Sequence, residues 1–82
     1  MTLESTERRN QAESLILQGE QQLKIAALDF GMQFAQNLRH DIRSLMRQLQ
    51  ASLARKDEPN QIHQYSVDLQ IKLSELAQQV DQ

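Results

Sequence analysis

Three stretches of this chain repeat their apolar residues at intervals of three and four, the spacing that lines one face of an α-helix. In the first, about 5–29, the seam is Ala12, Leu15 or Ile16, Gly19, Leu23, Ala26 and Phe30. Ser5 or Thr6 is placed to cap it. Gly19 costs about 1 kcal/mol relative to Ala inside a helix, a cost that close approach of a second helix would offset. Glu4 through Gln11 contains no apolar residue, so the first turns are expected to project beyond the packed region. The second stretch, about 33–55, runs Ala35, Leu38, Ile42, Leu45, Leu49 and Leu53, with Phe34 and Met46 widening the stripe. The third, about 61–80, runs Ile62, Tyr65, Leu69, Leu73, Leu76 and Val80, with Val67, Ile71 and Ala77 partly outside the seam.

Two breaks separate these runs. In Asp29-Phe30-Gly31-Met32, Gly31 suits a left-handed helix stop, although a glycine also permits one continuous kinked helix. Protein kinases use the tripeptide Asp-Phe-Gly to hold magnesium, but no catalytic loop or nucleotide lobe accompanies it here, and it reads as a turn. In Lys56-Asp57-Glu58-Pro59-Asn60, Pro59 disfavours helix at the residue before it, and Asn60 is placed to cap the third run. Three amphipathic runs with short breaks predict an all-α fold, an up-down-up three-helix bundle with an overlong first helix. It forms a single helical subdomain over 1–82, expected to be a fragment of a larger chain.

Composition narrows the function classes. Eighty-two residues suffice for one domain at most. The absence of Cys excludes disulfides and thiolate metal sites. The longest apolar run, Ile25-Ala26-Ala27-Leu28, is far short of the roughly 20 residues that span a bilayer. The N-terminus shows no basic region followed by an apolar stretch. A cytoplasmic protein with no membrane partner is expected. Net charge is −2, but positive charge gathers in the second run, where Arg39, Arg43, Arg47, Arg55 and Lys56 face only Asp41. A basic helix between two acidic ones favours antiparallel packing, with about 0–1 kcal/mol from each surface pair.

The chemistry-bearing residues form no constellation in the sequence. His40 and His63 are the only imidazoles, and neither has two further ligands at helical spacing; both read as surface histidines, and no metal site is expected. Arg39, Arg43 and Arg47 form a basic stripe. It reads as a solvated or intrachain-paired face ahead of a phosphate contact, because nucleic-acid binders add more net positive charge or stacking aromatics. Glu4, Glu7, Glu13 and Glu20 have no opposing acid for general acid–base work. The serines lack a His and Asp arrangement. No catalytic residue is assigned and no enzyme activity is expected of the segment.

The start of the first run carries more information. Glu7-Arg8-Arg9-Asn10-Gln11-Ala12-Glu13-Ser14-Leu15-Ile16 resembles the lid helix of the seventy-kilodalton heat-shock chaperones, the DnaK family. That helix carries an Arg-Asn pair, an acid three residues beyond the Asn, then two large apolar residues. Here these are Arg9-Asn10, Glu13 and Leu15-Ile16. The Gln18–Lys24 turn and the Leu-rich stretch from Leu69 to Val80 are similar to later parts of the family's helical region. Two departures stand out. The break at Gly31 is shorter than the family's, and Leu17 stands where some members carry a polar or aromatic residue that supports the latch.

The resemblance implies a helical lid over a peptide-binding domain in the same parent chain, slowing release of unfolded client polypeptides. ATP and magnesium would be bound by a domain upstream, with no cofactor in this segment. Glu13 would make the latch contact with the peptide-binding domain. The alternative is a stand-alone helical module that pairs with itself as a homodimer or with a partner helix.

Overall fold

Leu3–Phe30, Gln36–Ala54 and Pro59–Val80 form three α-helices, named α1, α2 and α3. The computed structural model describes the backbone over residues 3–81 and the side chains over 5–81. Every pair of helices is in contact, in the up-down-up order expected. The molecule measures 42 × 19 × 16 Å. At 1.5 Å per residue α1 is about 42 Å long and spans that whole length.

The core is aliphatic. Ala12, Ile16, Leu23 and Ala26 from α1 meet Ile42, Met46 and Leu49 from α2 and Ile62, Leu69, Leu73 and Leu76 from α3. Gly19 is buried in the same seam, and a Cβ there would lie 2.9 Å from Met46 Sδ. The missing side chain is what lets α1 and α2 approach at this level, the role expected of it.

The seam of α2 differs from the expected one. Its buried line is Arg39, Ile42, Met46, Leu49 and Ser52, while Leu38, Leu45 and Leu53 are half-buried at its flank. A helix that touches two partners buries the direction between them, so apolar residues line both sides of a middle that tolerates Arg39 and Ser52. On α3, Ser66 takes the buried place beside half-buried Tyr65, and its hydroxyl donates to the Ile62 carbonyl at 2.9 Å. Phe30, expected in the seam, is 46% exposed. As the last residue of α1 it stacks on Phe34, ring centroids 4.6 Å apart, outside the packed layer.

Both breaks are turns. Gly31, at φ +89, donates its N–H to the Ala27 carbonyl at 3.0 Å and ends α1. Chain reversal continues to Ala35, which is left-handed at φ 47 and precedes α2. The second helix therefore starts at Gln36, three residues later than the pattern predicts. At the other end Lys56 is left-handed at φ 57. The N–H groups of Asp57 and Lys56 donate to the carbonyls of Ser52 and Leu53, both at 3.1 Å. This is a Schellman closure built without glycine. Glu58 is extended at ψ 146 and Pro59 opens α3, the position where a missing N–H costs nothing. Asn60 lies inside α3 and does not cap it. Ser5 and Thr6 likewise fall inside α1, which is already helical at Leu3.

The first turns of α1 do not project free of the bundle. Ser5, Arg8 and Arg9 are half-buried, and Arg9 Nη2 donates to the Leu53 carbonyl at 3.1 Å. Antiparallel packing brings the start of α1 beside the end of α2, whose last carbonyls attract a cation.

Candidate functional site

The outward ridge of α1 follows from the same periodicity that builds its core. Ala12 and Ile16 are buried, which fixes the rotation of the helix, and Glu13 and Leu17 then point to solvent. Glu13 is exposed, and Leu17 is 64% exposed one turn later. Lys24 and Leu28 continue the ridge, Leu28 at 75% exposure.

Arg9 and Glu13 stand one turn apart, close enough to pair. The Arg9 guanidinium instead turns to the Leu53 carbonyl. Among the described residues Glu13 makes no ion pair, so its carboxylate faces outward uncompensated. Asn10 points elsewhere again. With Gln11, Ser14, Leu15, His63 and Gln70 it lines an open cavity of about 550 Å³ between α1 and α3. The three motif residues thus have separate destinations: Arg9 serves the bundle, Asn10 the groove, and Glu13 the free surface.

The basic stripe is not one stripe. Arg39 is 2% exposed and folds back over the first turn. Its Nη1 donates to the carbonyls of Met32 at 2.9 Å, Gly31 at 3.3 Å and Phe34 at 3.3 Å. A cation at the carbonyl end of α1 is favourably placed. Its position on the line through Ile42, Met46 and Leu49 was the sequence signal for this role, hidden by the parallel leucine line. Arg43 and Arg47 remain exposed. Interhelix charge pairing falls to minority residues: Lys72 of α3 lies 4.0 Å from Asp41 of α2.

At the second turn Asp57 accepts hydrogen bonds from the Ser52 hydroxyl and the Arg55 guanidinium, both at 2.8 Å. The Arg55 guanidinium, then the Ser52 hydroxyl, hold the Asp57 carboxyl below the usual carboxylate range, and Asp57 raises Arg55 in return. This cluster has a structural task, closing α2 against α3. His40 and His63 are both exposed. Among the described residues no three His, Cys, Asp or Glu side chains gather as metal ligands, and no helix is long and apolar enough to cross a membrane.

No protein-family model matches the chain, and no solved structure matches it. Curated proteins do. The Chaperone protein DnaK of Trichormus variabilis is 48% identical over 79 residues, covering 96% of this chain. The chain is homologous to a segment of the DnaK chaperones. Chaperone protein dnaK1 of Nostoc sp. matches to the same degree, and Chaperone protein dnaK3 of Synechococcus elongatus is 44% identical over 52 residues. The DnaK segment concerned is C-terminal, and this chain spans 11% of the length of the first two relatives. The resemblance read from Arg9, Asn10, Glu13 and the leucine-rich third helix thus led to the right family.

Proposed function

We propose that this helical bundle is the lid of an ATP-dependent DnaK-type chaperone, closing over a peptide-binding domain of the same parent chain and slowing escape of bound unfolded polypeptide. The observation that carries the reading is the 48% identity to DnaK over 96% of the chain, combined with an exposed Glu13 on the outward ridge of α1. The lid acts sterically. ATP and magnesium belong to the upstream domain of the parent, and this segment contributes no catalytic group. The parent acts in the cytoplasm.

Glu13 is the latch residue in this reading. Glu13 makes no ion pair among the described residues, so a contact on another domain breaks none of them and costs only hydration and side-chain freedom. Polar latches of this kind contribute about 0–1 kcal/mol when exposed, more when dry, so the closed state can reopen during a cycle. The rigid part is supplied by the bundle: Ala12 and Ile16, flanking Glu13, are core residues.

The test is a chimera. The matching segment of the Trichormus variabilis DnaK is replaced by this chain, and dissociation of a fluorescent peptide is followed beside a version lacking the segment. Slower release from the chimera than from the truncated protein is expected, with Glu13→Ala returning the rate most of the way. A latch worth 1.4 kcal/mol changes the rate about tenfold. Equal rates for chimera and truncation would refute the lid reading. A slow chimera indifferent to Glu13→Ala would refute only the latch.

A further inference from the structure

Outward from the buried line of α2 runs a second line with the same helical spacing. Gln36, His40, Arg43, Arg47, Gln50 and Ala54 follow one another at intervals of four and three, and all of them are exposed. The line contains no acid. Arg43 and Arg47 stand one turn apart, roughly 5–6 Å between their Cβ atoms. Like charges at that spacing cost a helix about as much as an opposite pair would contribute. Asp41, the one acid of α2, is engaged by Lys72 of α3 at 4.0 Å, and Asp57 in the following turn by Arg55 at 2.8 Å. Among the described residues Arg43 and Arg47 make no ion pair. Both remaining helices carry more acids than bases. An unbalanced positive charge is therefore gathered on one helix face, where no other residue of the bundle uses it.

That face suits one kind of partner. A helix laid in a groove needs apolar anchors, and this line offers Ala54 alone. A nucleic-acid strand finds no aromatic on the line to stack a base, and its further phosphates meet the acids of α1 and α3. A short, flexible acidic polypeptide avoids both problems. Gln36 to Ala54 spans about 27 Å, the length of roughly eight residues of extended chain. Alternate residues of such a chain lie about 6.6 Å apart, near the Arg43–Arg47 spacing. Gln36 and Gln50 flank the cations, and a carboxamide can both donate to and accept from a main chain. We propose that the outward face of α2 docks an extended acidic polypeptide segment, with the Arg43 and Arg47 guanidiniums anchoring carboxylates on alternate residues. Such a contact forms quickly, holds weakly and is screened by salt. The inference is independent of the lid reading.

The probe is a fluorescein-labelled octapeptide of alternating Glu and Ser, beside the same peptide with Gln for Glu. Each is titrated with this chain and followed by fluorescence anisotropy. The acidic peptide should bind about tenfold more tightly than its Gln counterpart at about 20 mM salt, and the preference should shrink severalfold at about 200 mM. Arg43→Gln combined with Arg47→Gln, at exposed positions, should abolish the preference. Lys24→Gln, on the outward ridge of α1, should change it less than about twofold. In an NMR titration the shifted backbone amides should fall within 36–54.

Equal affinity for the two peptides would overturn the proposal. So would a preference that survives the double Arg→Gln variant, or amide shifts centred on α1 or α3. Tighter binding of oligothymidylate than of the acidic peptide at the same salt would assign the face to nucleic acid and overturn the proposal as well. Should the double variant fail to fold, Arg47→Gln alone decides: an unchanged preference contradicts the anchor.

Discussion

At the end of α2 one carboxylate receives both the Ser52 hydroxyl and the Arg55 guanidinium. Both partners favour its charged form, so Asp57 titrates below its unfolded value, which is about 3.9. The sign follows from linkage: the folded state binds fewer protons at this site, so the contribution to stability is complete above the unfolded value. It is lost as pH falls through the lower, folded one. Thermal unfolding of the parent chain and of Asp57→Asn should differ most near neutral pH, with the parent higher. The two melting curves should converge as pH drops below about 4. A gap that stays constant down to pH 2.5 would mean that Asp57 acts through shape and not through charge. Lys56 nearby shows the same economy on a smaller scale, since its left-handed φ of 57 is what lets two carbonyls at the end of α2 find donors.

The helices themselves were legible because hydrophobic periodicity is a property of each segment alone. All three runs form helices, and Gly31 and Pro59 mark the breaks as turn chemistry requires. The ends were less legible, because they depend on partners remote in sequence. Arg9 caps Leu53 only once α1 and α2 are antiparallel, and α2 starts at Gln36, after left-handed Ala35 and a turn whose carbonyls Arg39 gathers. The rotation of α2 was off by one position for the same reason: a leucine line at Leu38, Leu45 and Leu53 looks like a seam until a second neighbour pulls the buried direction toward Met46. Arg39→Met tests the weight of that end. Hydrogen bonds from a charged donor contribute about 1.5–3 kcal/mol each where the partner is otherwise unpaired, but turn carbonyls released here regain water. A net loss of about 2 kcal/mol is expected, a fall in Tm of roughly 8–16 °C for a chain of this size. Arg39→Lys should recover much of it, because all three bonds leave from one nitrogen, Nη1, and an ammonium also carries three donors on one nitrogen. An unchanged Tm in Arg39→Met would show that these bonds contribute nothing to the stability of the bundle.

In the whole molecule the bundle and the proposed latch are served by adjacent residues of one motif, and this separates their roles experimentally. The resemblance set Glu13 apart from Arg9 and Asn10 as the latch candidate; it could not say what Arg9 does, because that depends on where the end of α2 comes to rest. Arg9 spends its guanidinium on Leu53, whereas Glu13 faces solvent. Substitutions at exposed sites usually stay within about 0.5 kcal/mol, so Glu13→Gln should leave the Tm of this chain within roughly 2–4 °C of the parent. Arg9→Met removes a charge-assisted bond at a half-buried helix end and should cost about 1 kcal/mol, or roughly 4–8 °C. In the chimeric chaperone the order should reverse. Glu13→Gln should quicken peptide release although the bundle is intact, while Arg9→Met should affect release only near the temperature at which the bundle loosens. Measuring both variants by calorimetry and by peptide dissociation gives a two-by-two comparison. If Glu13→Gln destabilises the isolated chain as much as Arg9→Met, Glu13 is part of the scaffold, and any effect it has on release follows from a weakened lid, not from a latch.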